Sequence, residues 1–211
     1  MKIEKITATL LGANNYVVGD DKNCLIIEAS ADLEKIKQIV AKRNVLGIFL
    51  THGHWDHALN IDKIQKEFGC KVYLNKNAVS KLKNEKRTFY GDVLIKSNLT
   101  EKQMHFVEDG EIITFEGLQV EVIYTPGHTN CSVCFKVSHE NDEVLFTGDT
   151  LFCDGIGRCD LPTGSEDDMQ KSLQKLFALN ENLTVFPGHG EKTTIKQEKN
   201  RIFMWFFLIF N

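Results

Sequence analysis

Three imidazoles and a carboxylate fall within the six residues from His52 to His57, in the stretch Thr51-His52-Gly53-His54-Trp55-Asp56-His57. Neutral imidazole nitrogens and carboxylate oxygens are preferred ligands of zinc and of borderline metals such as iron or manganese, and few other chemistries need so many together. A metal site is the chemistry these residues indicate. In extended backbone the side chains alternate, so His52 and His54 share one side. A helix beginning near Asp56 would turn that residue and His57 toward a second point, and the spacing therefore suggests two metals. The plainer account is a chance run of loop histidines. It fits less well, because the cluster directly follows the apolar run Val45 to Leu50, which reads as a buried strand.

The elements that must position this cluster follow from periodicity. Ile6 to Leu11, Tyr16 to Val18 and Cys24 to Ile27 read as strands of a meander. Asp32 can cap a helix through Lys42 with Leu33, Ile36, Ile39 and Val40 as its apolar stripe, leading into the strand that delivers the histidines. After the cluster, Ala58, Ile61, Ile64 and Phe68 recur at helical spacing up to a C-capping Gly69. A short strand at Lys71 to Leu74 and a helix over Asn77 to Glu85 come next. The polar stretch Lys86 to Glu101 reads as a surface connection and a candidate lid.

Strands return at Met104 to Val107, Glu111 to Phe115, Leu118 to Tyr124, Cys131 to Val137 and Glu143 to Phe146, separated by Asp-Gly, Glu-Gly and Asn-Asp turns. A helix opening at Asp167 or Asp168 and a last strand, Leu183 to Phe186, complete the pattern. Two sheets packed face to face with helices outside fit this order better than a doubly wound parallel sheet.

Three more apolar runs end in a candidate ligand beside a glycine: Tyr124 is followed by Thr125-Pro126-Gly127-His128, Phe146 by Thr147-Gly148-Asp149, and Phe186 by Pro187-Gly188-His189. Each taken alone could be an ordinary turn residue. Together with the first cluster they are the pattern of a site assembled at one rim of the sheets.

These residues carry a resemblance. The chain resembles the metallo-β-lactamase-fold hydrolases and, within them, the short glyoxalase II-like (hydroxyacylglutathione hydrolase-like) proteins. The matching motifs are Thr-His-Gly-His-Trp-Asp-His at 51–57, Thr-Pro-Gly-His-Thr at 125–129, Phe-Thr-Gly-Asp-Thr-Leu-Phe at 146–152, Gly-Ile-Gly-Arg-Cys-Asp-Leu-Pro at 155–162 and Phe-Pro-Gly-His-Gly at 186–190. The resemblance implies an α/β fold, a four-layer αββα sandwich of two mixed β-sheets, with the site at one edge. Carried over by position, it implies that His52, His54 and His128 hold one divalent ion, that Asp56, His57 and His189 hold a second, and that Asp149 bridges them. Zinc is the first expectation, with iron or manganese as alternatives. His105 and His139 match no ligand motif.

The expected chemistry is hydrolysis of a small thioester or ester. Two ions about 3.5–4 Å apart share a water, lower its pKa to roughly 7, and polarise the carbonyl that the bridging hydroxide attacks. Asp56 and Asp149 are the expected catalytic carboxylates. A thiolate leaving group, with a solution pKa near about 8.5, departs without a strong general acid. Arg158 is suited either to a substrate carboxylate or to a pair with Asp160. The runner-up is a mononuclear iron dioxygenase acting on a persulfide, which the resemblance also reaches.

The 211 residues imply one domain over 1–200 and an apolar tail over 201–211, whose nine consecutive apolar residues are too few to span a membrane. The tail is expected on its own domain or at a homodimer interface, with a peripheral membrane contact or an altered 3′ end as the other readings. The net charge of −4 argues against nucleic acid as a partner. Six cysteines in a chain this long, opening without a signal-peptide core, fit reduced thiols in a cytoplasm. Cys131 and Cys134 lie three apart in a strand-like run, so they face opposite sides and are expected to be packed thiols. Glu28-Ala29-Ser30 stands where the short family members carry Asp-Pro-Gly, a departure that bears on how the metal is supported.

Overall fold

A computed structural model describes residues 1–84 and 97–209, the side chains of 84 and 203–209 excepted. The chain runs β1 (Lys2–Thr7), β2 (Asn14–Gly19), β3 (Asn23–Ile27), α1 (Leu33–Val40), β4 (Asn44–Phe49), α2 (Trp55–Ala58), α3 (Ile61–Phe68), β5 (Val72–Leu74), α4 (Ala78–Asn84) and β6 (Met104–Phe106). It continues through β7 (Ile112–Thr114), β8 (Gln119–Tyr124), β9 (Val133–His139), β10 (Asp142–Gly148), β11 (Leu151–Phe152), β12 (Gly155–Ile156), α5 (Glu166–Phe177), β13 (Thr184–Pro187), β14 (Thr193–Thr194) and α6 (Ile195–Ile209).

Two mixed six-stranded sheets result, in the orders β1-β2-β3-β4-β5-β6 and β14-β13-β10-β9-β8-β7, while β11 and β12 form a separate small hairpin. Strand alternation sorts the apolar side chains into three layers. Cys24 and Ile26 of β3, Ile48 of β4 and Leu50 just after it face α1, α3 and α4. Their neighbours Leu25, Ile27 and Phe49 face the second sheet and meet Val122, Phe135 and Phe146. In β9 and β10, Cys134 and Leu145 turn outward onto Met169, Leu173 and Leu176 of α5. Each sheet is therefore covered on both faces, which gives the expected αββα sandwich. Phe49 anchors the middle layer, stacked on Tyr73 with centroids 4.4 Å apart and edge-on to Phe135 at 5.1 Å. Burying such a ring is worth about 1.5–3 kcal/mol, so β4 is held firmly just before the residues it delivers.

Asp32 caps α1 by accepting from the N–H groups of Glu34 and Lys35, and Gly69 ends α3 in the left-handed region, both as expected. Three expectations shift. The first strand is Lys2–Thr7 and not Ile6 to Leu11, because pairing of Lys2 with Gly19 through Thr7 with Asn14 places the turn at 8–13. Leu10 and Leu11 then stand on that turn, 48% and 52% exposed. The helix α5 starts at Glu166, since the Ser165 hydroxyl, accepting from Asp168 N–H, supplies its cap. Cys131 precedes β9 and joins the layer under α3 and α4, whereas Cys134 faces α5, so the two thiols lie in different layers.

The hairpin β11–β12 and the strand β14 are too short for sequence periodicity to reveal. The expected lid falls mostly on 85–96, outside the described residues, and so do the side chains of the apolar tail from 203 on. The helix α6 runs through the expected boundary at Asn200. Among the described residues no helix is long and apolar enough to cross a membrane.

Candidate metal centre

Seven side chains converge where β4, β8, β10 and β13 end. Past β4, Thr51 is buried and the chain turns through His52 and Gly53 to His54, which stands at the N-terminal cap of α2. Asp56 and His57 sit on that short helix, and the His57 carbonyl accepts from Ala29 N–H at 2.7 Å, tying α2 to the end of β3. His189 is held from β2: Tyr16 Oη and Asn14 Nδ2 donate to the Pro187 carbonyl at 2.7 and 3.1 Å, and Asn14 Nδ2 also reaches the Gly190 carbonyl at 2.9 Å.

The donor atoms form two adjoining groups. In the first, His54 Nδ1 lies 3.1 Å from His52 Nε2 and 3.0 Å from His128 Nε2. In the second, His189 Nε2 lies 3.3 Å from His57 Nε2 and 3.5 Å from Asp56 Oδ2. Asp149 touches both: its Oδ1 is 3.3 Å from His57 Nε2, and its Oδ2 is 3.5 Å from His128 Nε2 and 3.7 Å from His189 Nε2.

These groups fit a cation better than they fit one another. His128 Nδ1 faces the Arg158 carbonyl at 2.7 Å and must donate to it, so its Nε2 carries a lone pair. Thr51 Oγ1 donates to Glu28 Oε1 at 2.5 Å, which leaves it to accept from His52 Nδ1 at 3.1 Å, so His52 Nε2 also presents a lone pair. One N–H on His54 cannot satisfy both. Buried Asp149 Oδ1 also lacks a hydrogen-bond partner, while His57 turns its Nδ1 toward Glu28 and its Nε2 toward Asp149 and His189. Converging unpaired donors of this kind are what a divalent ion requires.

The electrostatics divide the groups. Burial, reinforced by the imidazoles of His57, His54 and His128, pushes His52 well below the ordinary histidine range. Burial and His128 bring His54 down to about 3, with the Lys81 charge adding to the effect. Both rings are neutral at pH 7 with lone pairs free to ligate. Burial would lower His57 too, but the charges of Asp149 and Glu28 override it and raise this ring well above its usual value. Burial likewise opposes ionisation of Asp149, yet His57, His189 and His128 hold it far below the carboxylate range.

Arg158 pairs with Asp160. Its guanidinium grips Asp160 through Nε and Nη2 at 2.7 and 2.6 Å, while its carbonyl serves His128. His105 pairs with Glu111 at 2.6 Å and His139 lies 3.5 Å from Asp20, both outside the cluster. Two residues near the site escape sequence reasoning in part. Glu28, 1% exposed with φ +65°, bonds Thr51 and stands 3.5 Å from His57 Nδ1. Its departure from the usual Asp is the available signal, whereas Lys81, packed against Gly53, looks like any surface lysine of α4.

The metallo-beta-lactamase superfamily profile matches residues 8–189, a span holding all seven of these side chains. The chain belongs to the metallo-beta-lactamase superfamily. It is 34% identical to the hydroxyacylglutathione hydrolase GloC of Haemophilus influenzae over 207 residues, covering 94% of this chain and 95% of that one. Among solved structures of metallo-beta-lactamase type, the B3 enzyme BLEG-1 superposes with a TM-score of 0.85 at 29% identity, covering 94% of this chain and 97% of the other. TTHA1623, in a di-iron-bound form, superposes with a TM-score of 0.81 at 25% identity, covering 94% and 98%. The superfamily fold binds metal ions, and the histidine-rich groups lie where this metallo-beta-lactamase fold gathers its strand ends.

Proposed function

We propose that this protein is a dinuclear metal hydrolase of a small thioester or ester, of the glyoxalase II type, working in the cytoplasm. The observation that carries the reading is Asp149, one carboxylate within 3.3–3.7 Å of nitrogens from both donor groups. Support comes from the 34% identical relative named as a hydroxyacylglutathione hydrolase, and six free cysteines fit a reducing compartment.

In this reading His52, His54 and His128 hold one cation, Asp56, His57 and His189 hold the other, and Asp149 serves both. When bound, divalent cations, zinc before iron or manganese, supply a water of pKa roughly 7 and a Lewis acid for a carbonyl oxygen. The chain's own residues do the rest. Asp56, partly open to solvent, accepts a hydrogen bond from the attacking water and orients it. Glu28 fixes His57 from behind and, through Thr51, fixes the tautomer of His52. Lys81, which has no acidic partner among the described residues, takes the substrate's negative group, a role open to Arg158 only by leaving Asp160.

The test is metal analysis of chelator-free protein together with hydrolysis of S-lactoylglutathione against a panel of thioesters, esters and lactones. Two ions per chain and turnover of one class support the proposal. Full loading without any hydrolysis defeats it, and oxygen uptake with one iron per chain would put persulfide oxidation in its place.

A further inference from the structure

Glu198, the one acid of α6, has 0% exposure, whereas Lys196 of the same helix is exposed and Lys199 half-buried. Burying a carboxylate is costly unless it is fully bonded, so its partners indicate its role. Oε1 accepts from Thr193 Oγ1 at 2.5 Å and from Arg201 Nη1 at 2.8 Å. Oε2 accepts from the backbone N–H of Asp154 at 3.0 Å. Arg201 also reaches Asp154 Oδ1 at 2.6 Å and Cys153 Sγ at 3.8 Å.

Cys153, Asp154 and Glu198 have the right atoms to hold a metal. The Arg201 guanidinium already stands among all three and supplies the positive charge. The cluster is a clamp from α6 onto the tip of the β11–β12 hairpin, where Asp154 turns with φ +65°.

That hairpin frames the candidate metal centre. It leaves the site at Asp149 and returns to it at Arg158, whose carbonyl receives His128 Nδ1. The Phe152 ring lies edge-on to His189 with centroids 6.2 Å apart. Gly157 presses so closely on the ligand backbone that a Cβ there would stand 1.8 Å from the Asp149 carbonyl oxygen and 3.1 Å from His128 Cβ. On its other side the hairpin borders a cavity of ≈ 740 Å³ shared with α5 and α6. Among the described residues, the tip of the hairpin is tied down by Glu198 and Arg201.

We infer that Glu198 is a positioning residue for the metal centre. Through Asp154 it sets the height of the hairpin, and through the hairpin it sets the placement of His128, Asp149 and His189. The inference rests on the reading of those residues as ligands.

The experiment follows cobalt(II) uptake by the full-length chain, reading the visible d–d spectrum and the affinity against a competing chelator, with the thermal midpoint of the metal-free protein beside them. For Glu198→Ala we expect an altered cobalt spectrum and affinity reduced about 10–100-fold. Glu198→Gln retains an acceptor for Asp154 N–H and should recover most of both. If Glu198→Ala does not fold, Glu198→Asp carries the comparison, since its shorter side chain withdraws from Asp154 yet keeps its charge beside Arg201. A variant that only melts earlier, with wild-type spectrum and affinity, would show Glu198 to be structural and overturn the inference. A wild-type chain that takes up no cobalt would instead overturn the metal reading itself, and the inference with it.

Discussion

Gly188 and Asp149 are in such close approach that a methyl group on the glycine would stand 2.3 Å from Asp149 Oδ1, and 2.7 Å from His57 Cε1 as well. The carboxylate shared by the two donor groups can occupy its place because residue 188 has no side chain. In Gly188→Ala the new methyl must displace Asp149, His57 or the His189 turn. Metal affinity should fall about 10–100-fold while far-UV circular dichroism stays native. Titration against a chromogenic chelator measures it, and unchanged affinity would show that the contact does not set the carboxylate.

Asp149→Asn keeps the shape of the side chain and removes its charge. Both donor groups lose their common anion, so fewer than two ions per chain should be retained after desalting. Turnover should drop below about one per cent of wild type, a larger loss than removing an outlying partner produces. Two retained ions with normal hydrolysis would contradict the bridging role.

Glu28→Ala strips the buried partner from Thr51 Oγ1 and from the side of His57 facing Nδ1. Leaving a buried hydroxyl unpaired costs about 1–3 kcal/mol, and two rings lose the group that fixes their orientation. Denaturant unfolding of the metal-free chain should report that loss, and metal affinity should weaken in parallel. Glu28→Gln, which can still bond Thr51, should restore stability more than affinity.

Lys81→Ala tests the charge beside His54. With an anionic thioester the expectation is a KM raised about 10-fold with kcat little changed, the signature of binding lost equally from ground and transition states. A neutral ester should be indifferent to the change. Equal effects on both substrates would remove Lys81 from substrate recognition.

Asp109 links the end of β8 to α5, accepting from Tyr124 N–H at 2.7 Å and from Lys175 Nζ at 3.0 Å. Partial burial alone would raise its pKa, but these donors outweigh it and hold the carboxyl below its usual range. A depressed folded-state pKa stabilises above the unfolded value of about 3.9, and the contribution disappears as pH falls through the folded value. Asp109→Asn should therefore melt below wild type near about pH 6, with the gap narrowing as pH falls below about 3.9. A gap constant across that range would mean that the shift is absent.

The candidate ligands could be picked out because they follow apolar runs, with His52, His54, His128, Asp149 and His189 each beside a glycine, as in Phe146-Thr147-Gly148-Asp149 and Phe186-Pro187-Gly188-His189. Alternation along β3, β4, β9 and β10 likewise carried the two-sheet architecture, since residues i and i+1 must serve different layers. It failed at Ile6 to Leu11, where the register with β2 overrides local apolarity. It could not find β11 or β12, because two residues have no period. Glu28 was flagged only as a departure from the family's Asp, and Glu198 was hidden for a different reason: a buried acid and a solvated one are the same letter, and only tertiary partners distinguish them.

The first sheet uses strands from Lys2 to Phe106 and the second strands from Ile112 to Thr194, so each sheet is drawn from its own half of the chain. His52, His54, Asp56 and His57 belong to the first half, and His128, Asp149 and His189 to the second. During synthesis the N-terminal half can close its sheet while the ribosome is still making the remainder. The candidate metal centre, however, does not have all seven of its side chains until residue 189 has emerged from the exit tunnel. In the proposed reading, loading of the two ions is thereby deferred to a nearly finished polypeptide.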